Sequence, residues 1–132
     1  MATRALDILV VDDTPDCCEI IRMMLEASGF HVRVAESGEA ALSEVAARPP
    51  DAMLLDVMMP GMSGIEVLEQ VRSMPRVANL PVILLTGCIT DDDMVCGYQH
   101  GADYYIPKPC TARQITHGLS LVLGRADASH AA

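Results

Sequence analysis

Positive charge is scarce in this chain of 132 residues. Nine Lys plus Arg stand against eighteen Asp plus Glu, for a formal net charge of −9. A nucleic-acid surface needs clustered Lys and Arg, so none is expected. Lysine itself is nearly missing: Lys108 stands alone among arginines. A compact, rotatable ammonium is thus kept at one place in a chain that elsewhere uses guanidinium. Long apolar runs are also missing. None reaches the ~20 residues that cross a membrane. The stretch Met1-Ala2-Thr3-Arg4-Ala5 lacks the apolar segment of a signal peptide. The expectation is a cytoplasmic protein with no membrane contact. The cysteines, at 17, 18, 88, 96 and 110, are odd in number and contain no CxxC. That excludes a zinc pattern and argues against a disulfide framework, leaving reduced thiols in a cytosolic protein. No repeat, linker or second domain is visible. One domain is expected over residues 1–132, with a core of about 7–123 and a frayed tail at 124–132.

Four short apolar runs carry the main signal, and each leads into a reactive polar group. Ile8-Leu9-Val10-Val11 ends in Asp12-Asp13, and Met53-Leu54-Leu55 ends in Asp56. Val82-Ile83-Leu84-Leu85 ends in Thr86, and Tyr104-Tyr105-Ile106 leads into Pro107-Lys108-Pro109. Runs of this length read as buried strands of a parallel sheet. Between them lie helical signals. Thr14 reads as an N-cap with Pro15 as the first helical residue. Cys17, Ile20, Ile21, Met24 and Leu25 mark the packed face, and Gly29 marks the stop. Phe30 to Ala35 alternates as a further strand. Ser37 opens a second helix to about Arg48, and Ile65, Val67, Leu68 and Val71 mark a third. Thr90 caps a fourth, which begins Asp91-Asp92-Asp93 and contains Gly97; this one is expected to be mobile. Thr111 caps a last helix ending near Leu123. Alternating strands and helices predict an α/β sandwich of three layers.

Ligands bind outside the carboxyl ends of the strands in such sheets. Asp12, Asp13, Asp56, Thr86 and Lys108 should therefore meet at one edge. Crowded carboxylates raise one another's pKa, and a hard divalent cation relieves the conflict. Asp12-Asp13 alone also fits a helix cap; joined with Asp56 the pair fits a metal site better. Asp56 is the candidate nucleophile toward a phosphoryl group. Lys108 would collect charge on the transferring oxygens. Thr86 can donate a hydroxyl bond to a phosphoryl oxygen, and Gly87 leaves its backbone N–H accessible.

The stretches 8–13 and 51–64, then Leu85-Thr86-Gly87, Gly101-Ala102-Asp103-Tyr104-Tyr105 and Lys108-Pro109, together resemble a response-regulator receiver domain of two-component signalling. Each motif is weak alone; their order and spacing make the set specific. The resemblance implies a flavodoxin-like (βα)5 fold with sheet order 2-1-3-4-5. It implies that Asp56 accepts a phosphoryl group from a histidine kinase or a histidine phosphotransfer protein. Mg2+, with Mn2+ as a substitute, would be held by Asp13 and Asp56, by Asp12 through water, and by the Met58 carbonyl. Thr86, Gly87 and Lys108 would bind the phosphoryl group, and Thr86 with Tyr105 would form the switch. Met58 and Cys88 would govern water access, and neither orients water well, so a long-lived acyl phosphate is expected. A cis peptide is implied at Pro109.

The function that follows is a stand-alone, non-enzymatic switch. It would catalyse only its own phosphorylation and dephosphorylation. It would signal to a protein target through its fourth helix, fifth strand and fifth helix, including Tyr98. Two alternatives stay open. A Mg2+-dependent phosphatase with an Asp nucleophile would show Asp-x-Asp, whereas Asp12-Asp13 are adjacent. An interaction module that is never phosphorylated would not need the whole set of polar residues.

Overall fold

The computed structural model of the chain describes residues 5–87 and 101–131, with side chains to residue 124. The strands are β1 (Asp7–Val11), β2 (His31–Ala35), β3 (Ala52–Asp56), β4 (Val82–Thr86) and β5 (Tyr104–Pro107). The helices are α1 (Pro15–Ala27), α2 (Gly38–Ala47), α3 (Gly64–Arg72) and a C-terminal helix (Ala112–Ala131). The strands pair in parallel in the order β2-β1-β3-β4-β5. This is the flavodoxin-like topology expected. The helix expected from Thr90, with Asp91, Asp92, Asp93, Gly97 and Tyr98, lies outside the described residues, as does Cys88.

Both faces of the sheet are apolar, so both must be covered. On one face Leu9, Val11, Met53, Leu55 and Leu84 pack with Val67, Leu68 and Val71 of α3. On the other, Ile8, Val10, Leu54, Ile83 and Leu85 pack with Ile21 and Leu25 of α1 and Ile115 and Leu119 of the C-terminal helix. Every residue of β3 and β4 is buried. Fully burying one such aliphatic side chain stabilises the fold by roughly 1.5–3 kcal/mol.

Local chemistry sets the helix ends. Gly29 takes φ 94°, a left-handed backbone that glycine adopts without steric cost. Its N–H bonds to the Glu26 carbonyl and that of Phe30 to the Leu25 carbonyl, each at 3.0 Å, closing α1 with a Schellman motif. Ser37 caps α2 by accepting from Ala40 N at 3.1 Å. Ser63 and Glu66 form a reciprocal capping box on α3, both bonds 3.3 Å long. Thr111 and Gln114 do the same for the C-terminal helix, at 2.8 and 3.1 Å.

Three expectations change. Thr14 occupies the N-cap position of α1, but its hydroxyl makes no cap bond. The Asp12 carboxylate takes the Thr14 N–H at 3.0 Å instead. The packed face of α1 is Cys18, Ile21 and Leu25, whereas Ile20 is 53% exposed. An i, i+3, i+7 stripe from Cys18 fits the sheet, and Ile20 falls on its outer side. The last helix does not stop near Leu123; it runs to Ala131. Gly124 weakens a helix interior by only about 1 kcal/mol, and no proline follows it in an Ala-rich stretch.

Candidate phosphoryl and metal site

Strand register explains why distant residues meet. Val11 pairs with Leu55, so Asp12 and Asp56 leave adjacent strands at one level. Asp56 pairs with Leu85, which puts Thr86 one step further along β4. Thr86 in turn lies opposite Pro107. In this parallel register the Thr86 carbonyl accepts from the N–H one residue beyond its partner, that of Lys108, at 2.6 Å. Pro107, on the edge strand, costs the ladder no bond. The backbone of the lone lysine is thereby tied to the strand end that carries the candidate hydroxyl. The Lys108-Pro109 peptide is cis, as expected.

Asp12, Asp56 and Thr86 are the buried polar residues of the described core, and Asp13 is exposed beside them. Carboxylate oxygens of Asp12, Asp13 and Asp56 all lie within 4.8 Å of one another. Lys108 Nζ sits 2.7 Å from Asp12 Oδ2 and 3.4 Å from Asp56 Oδ1. Three carboxylates and one ammonium leave the cluster with excess negative charge. Hard oxygen donors in that arrangement suit Mg2+ or Mn2+. Asp12 already accepts from Thr14 N and Lys108 Nζ, so the exposed Asp13 and the edge of Asp56 are its open side. Met58 N reaches back to Asp56 Oδ1 at 3.3 Å, which folds the loop after β3 over the carboxylate.

Burial pushes the Asp56 carboxyl above its ordinary value; Lys108 opposes this and Asp12 adds to it. Burial alone would lower Lys108, but its bond to Asp12 and the charges of Asp56 and Asp12 outweigh that, so its ammonium is held. Gly87 faces open space. Tyr105, expected to form the switch with Thr86, is buried at 7% exposure on the α3 side of the sheet. Met58 is 73% exposed.

Two supporting residues were not singled out from sequence. The Cys18 thiol donates to the Asp12 backbone carbonyl at 3.2 Å from beneath. Burial, then Asp12, push that thiol up to about 11, so it is neutral at pH 7. Gly64 presses against the strand end: a Cβ there would lie 2.2 Å from the Asp56 carbonyl oxygen and 2.8 Å from Val57 Cα. Only the breaker-rich stretch 59–64 hinted at such an approach.

The model of the response regulator receiver domain matches residues 8–120. The chain belongs to the receiver domain family. Response regulator MprA of Mycolicibacterium vanbaalenii is 39% identical over 118 residues, covering 89% of this chain and 50% of that protein. The phosphate regulon transcriptional regulatory protein PhoB of Pseudomonas aeruginosa is 37% identical over 118 residues, covering 89% and 52%. The receiver chain thus spans about half the length of these curated relatives. Among solved structures, the chemotaxis protein CheY4 of Vibrio cholerae matches with a TM-score of 0.86 at 26% identity, over 90% of this chain and 99% of that one. A CheY-like receiver domain protein of Methanospirillum hungatei matches at 0.88 and 25%, over 96% and 99%. No helix among the described residues is long and apolar enough to cross a membrane.

Proposed function

We propose that this receiver domain accepts a phosphoryl group on Asp56 from a phosphohistidine of a histidine kinase or phosphotransfer protein. The observation that carries the reading is the cluster itself. Three carboxylates converge within 4.8 Å, and one ammonium bridges the two buried ones. A carboxylate withdrawn from water is a stronger nucleophile, and burial is what holds Asp56 above its ordinary pKa. Lys108 stands where it can collect charge on the transferring oxygens without entering from solvent. Thr86 offers its hydroxyl, and Gly87 its N–H, at the neighbouring strand end. Asp12, Asp13, Asp56 and the Met58 carbonyl would hold Mg2+ or Mn2+, which when bound adds positive charge to the phosphoryl oxygens.

The product is a switch rather than a turnover enzyme. Thr86 would report the phosphoryl group to Tyr105, two strand positions from the Pro107 that faces it. Output would pass by protein contact through β5, the C-terminal helix and the expected fourth helix. No nucleic-acid or membrane partner is proposed for this domain. The relatives are about twice as long as this chain, so they give no support to stand-alone action. With an exposed thioether at Met58, water near the acyl phosphate would find no orienting group there, favouring a long lifetime.

The test is incubation with acetyl phosphate and Mg2+, followed by intact mass. One added phosphoryl group, lost in Asp56→Asn, supports the switch. Continuous release of phosphate from many esters would point to the phosphatase, and an unchanged mass to a bare interaction module.

A further inference from the structure

A groove of about 440 Å³ runs between α1 and the segment after β5. Ile20, Ile21 and Met24 line it from α1, and Pro109 and Cys110 line it from the other side. Gly87 and Lys108 belong to its lining as well, so it is continuous with the candidate phosphoryl site. Its described lining is apolar except for the Lys108 ammonium, and that charge is turned toward Asp12 and Asp56. A space of this size holds a small ligand. The chemistry that fits has an anionic head for the Lys108 end and an apolar body for the rest.

We infer that the site takes, as a small-molecule phosphodonor, an acyl phosphate with a bulky apolar acyl group, aromatic or branched. The inference rests on Asp56 being the phosphoacceptor and names a donor class for that site. An Asp56 carboxylate oxygen attacks phosphorus, and the bond from phosphorus to the acyl oxygen breaks. The donor leaves as its carboxylate, taking the bonding pair. No proton moves, no co-reactant is consumed, and the charge is equal on both sides. One acyl phosphate is exchanged for another. Acetyl or carbamoyl groups are too small or too polar to cover Ile20, Ile21 and Met24, whereas a benzoyl ring can.

The experiment compares acetyl phosphate and benzoyl phosphate in Mg2+ buffer, with phosphorylation rates read by intact mass. It uses the native chain, Ile20→Gln, Met24→Gln and Cys110→Phe. The first two make the groove polar and the third fills it; none of the three is one of the residues assigned to the phosphoryl or metal site. Ile20 is exposed, so a polar residue there leaves the core intact. The benzoyl-to-acetyl rate ratio is expected to fall about tenfold in the variants, the effect of exposing roughly two methylene-sized units. The acetyl phosphate rate should stay unchanged. An equal ratio in the native chain and all three variants overturns the inference. Failure of acetyl phosphate to modify Asp56 overturns the proposed function instead, so the two failures are distinguishable. If the groove serves only a protein helix, the ratio is likewise insensitive to the variants, and the inference falls.

Discussion

Gly64→Ala is the sharpest test of how the site is held. The added methyl would sit 2.2 Å from the Asp56 carbonyl oxygen, 2.8 Å from Val57 Cα and 2.9 Å from the Asp56 carbonyl carbon. All three are backbone atoms, so no rotamer can relieve the contact. The N-terminus of α3 must move away by about 0.8 Å to reach even 3.0 Å. Two things yield. The Gly64 N–H bond to the Val57 carbonyl, now 3.0 Å, stretches. The Ser63–Glu66 capping box, already at 3.3 Å on both sides, opens. Overpacking of this kind costs roughly 1–3 kcal/mol, and a lost cap costs about 1 kcal/mol more. The sum, ~2–4 kcal/mol, corresponds to a fall in Tm on the order of 10 °C. Because the displaced atoms belong to Asp56 and Val57, phosphorylation by acetyl phosphate should slow as well. Urea unfolding gives the stability change, and intact mass gives the rate. A variant within 0.5 kcal/mol of the parent, phosphorylated at the parent rate, would refute the close approach and the argument built on it.

Three further outcomes follow from other parts of the fold. Arg72, with a side chain only 20% exposed, donates to the carbonyls of Leu80 and Gly101 at 2.6 Å and to Asp103 at 3.0 Å; Arg72→Leu should cost ~3–4 kcal/mol in urea unfolding, and a loss below 1 kcal/mol would show these bonds to be incidental. Asp56 is raised by burial, so its contribution to stability is complete below its ordinary value of 3.8 and is lost as pH rises through the folded value. Asp56→Asn should therefore raise Tm at pH 7 in chelator-treated buffer, with the gain vanishing toward pH 3.5; a gain that grows on acidification contradicts the sign. Gly124 lies within the C-terminal helix and an added Cβ there meets nothing, so Gly124→Ala should stabilise by ~0.5–1 kcal/mol in thermal unfolding; no change would return the helix end to Leu123.

The legible parts of the fold are those written in local chemistry. Pro15 at the first helical position, Gly29 after the last, and Ser37 at the start of α2 each act within one turn, and each is found where expected. Strand ends were legible because continuous apolar runs stop where the sheet stops. The inner face of α1 was ambiguous because Cys17-Cys18 and Ile20-Ile21 are doublets, and period 3.6 admits either member. The C-terminal helix continues past Leu123 because glycine is a stop only when the chain turns there, and at Gly124 it does not. The site's residues were legible as a set, but their distances were not. Lys108 meets Asp12 across 96 residues of sequence, and only strand register brings them together. The close approach of Gly64 leaves no periodic trace at all.

Lys108 also gives the molecule a property unrelated to signalling. Apart from the chain's own α-amino group, its ε-amine is the sole primary amine in the sequence. Held as an ammonium between two carboxylates, it lacks the lone pair that acylating reagents require. Competitive amine labelling therefore reads a single side chain with no background from others. Its labelling rate is a direct gauge of how often the Asp12–Lys108–Asp56 bridge opens, available without any engineered probe.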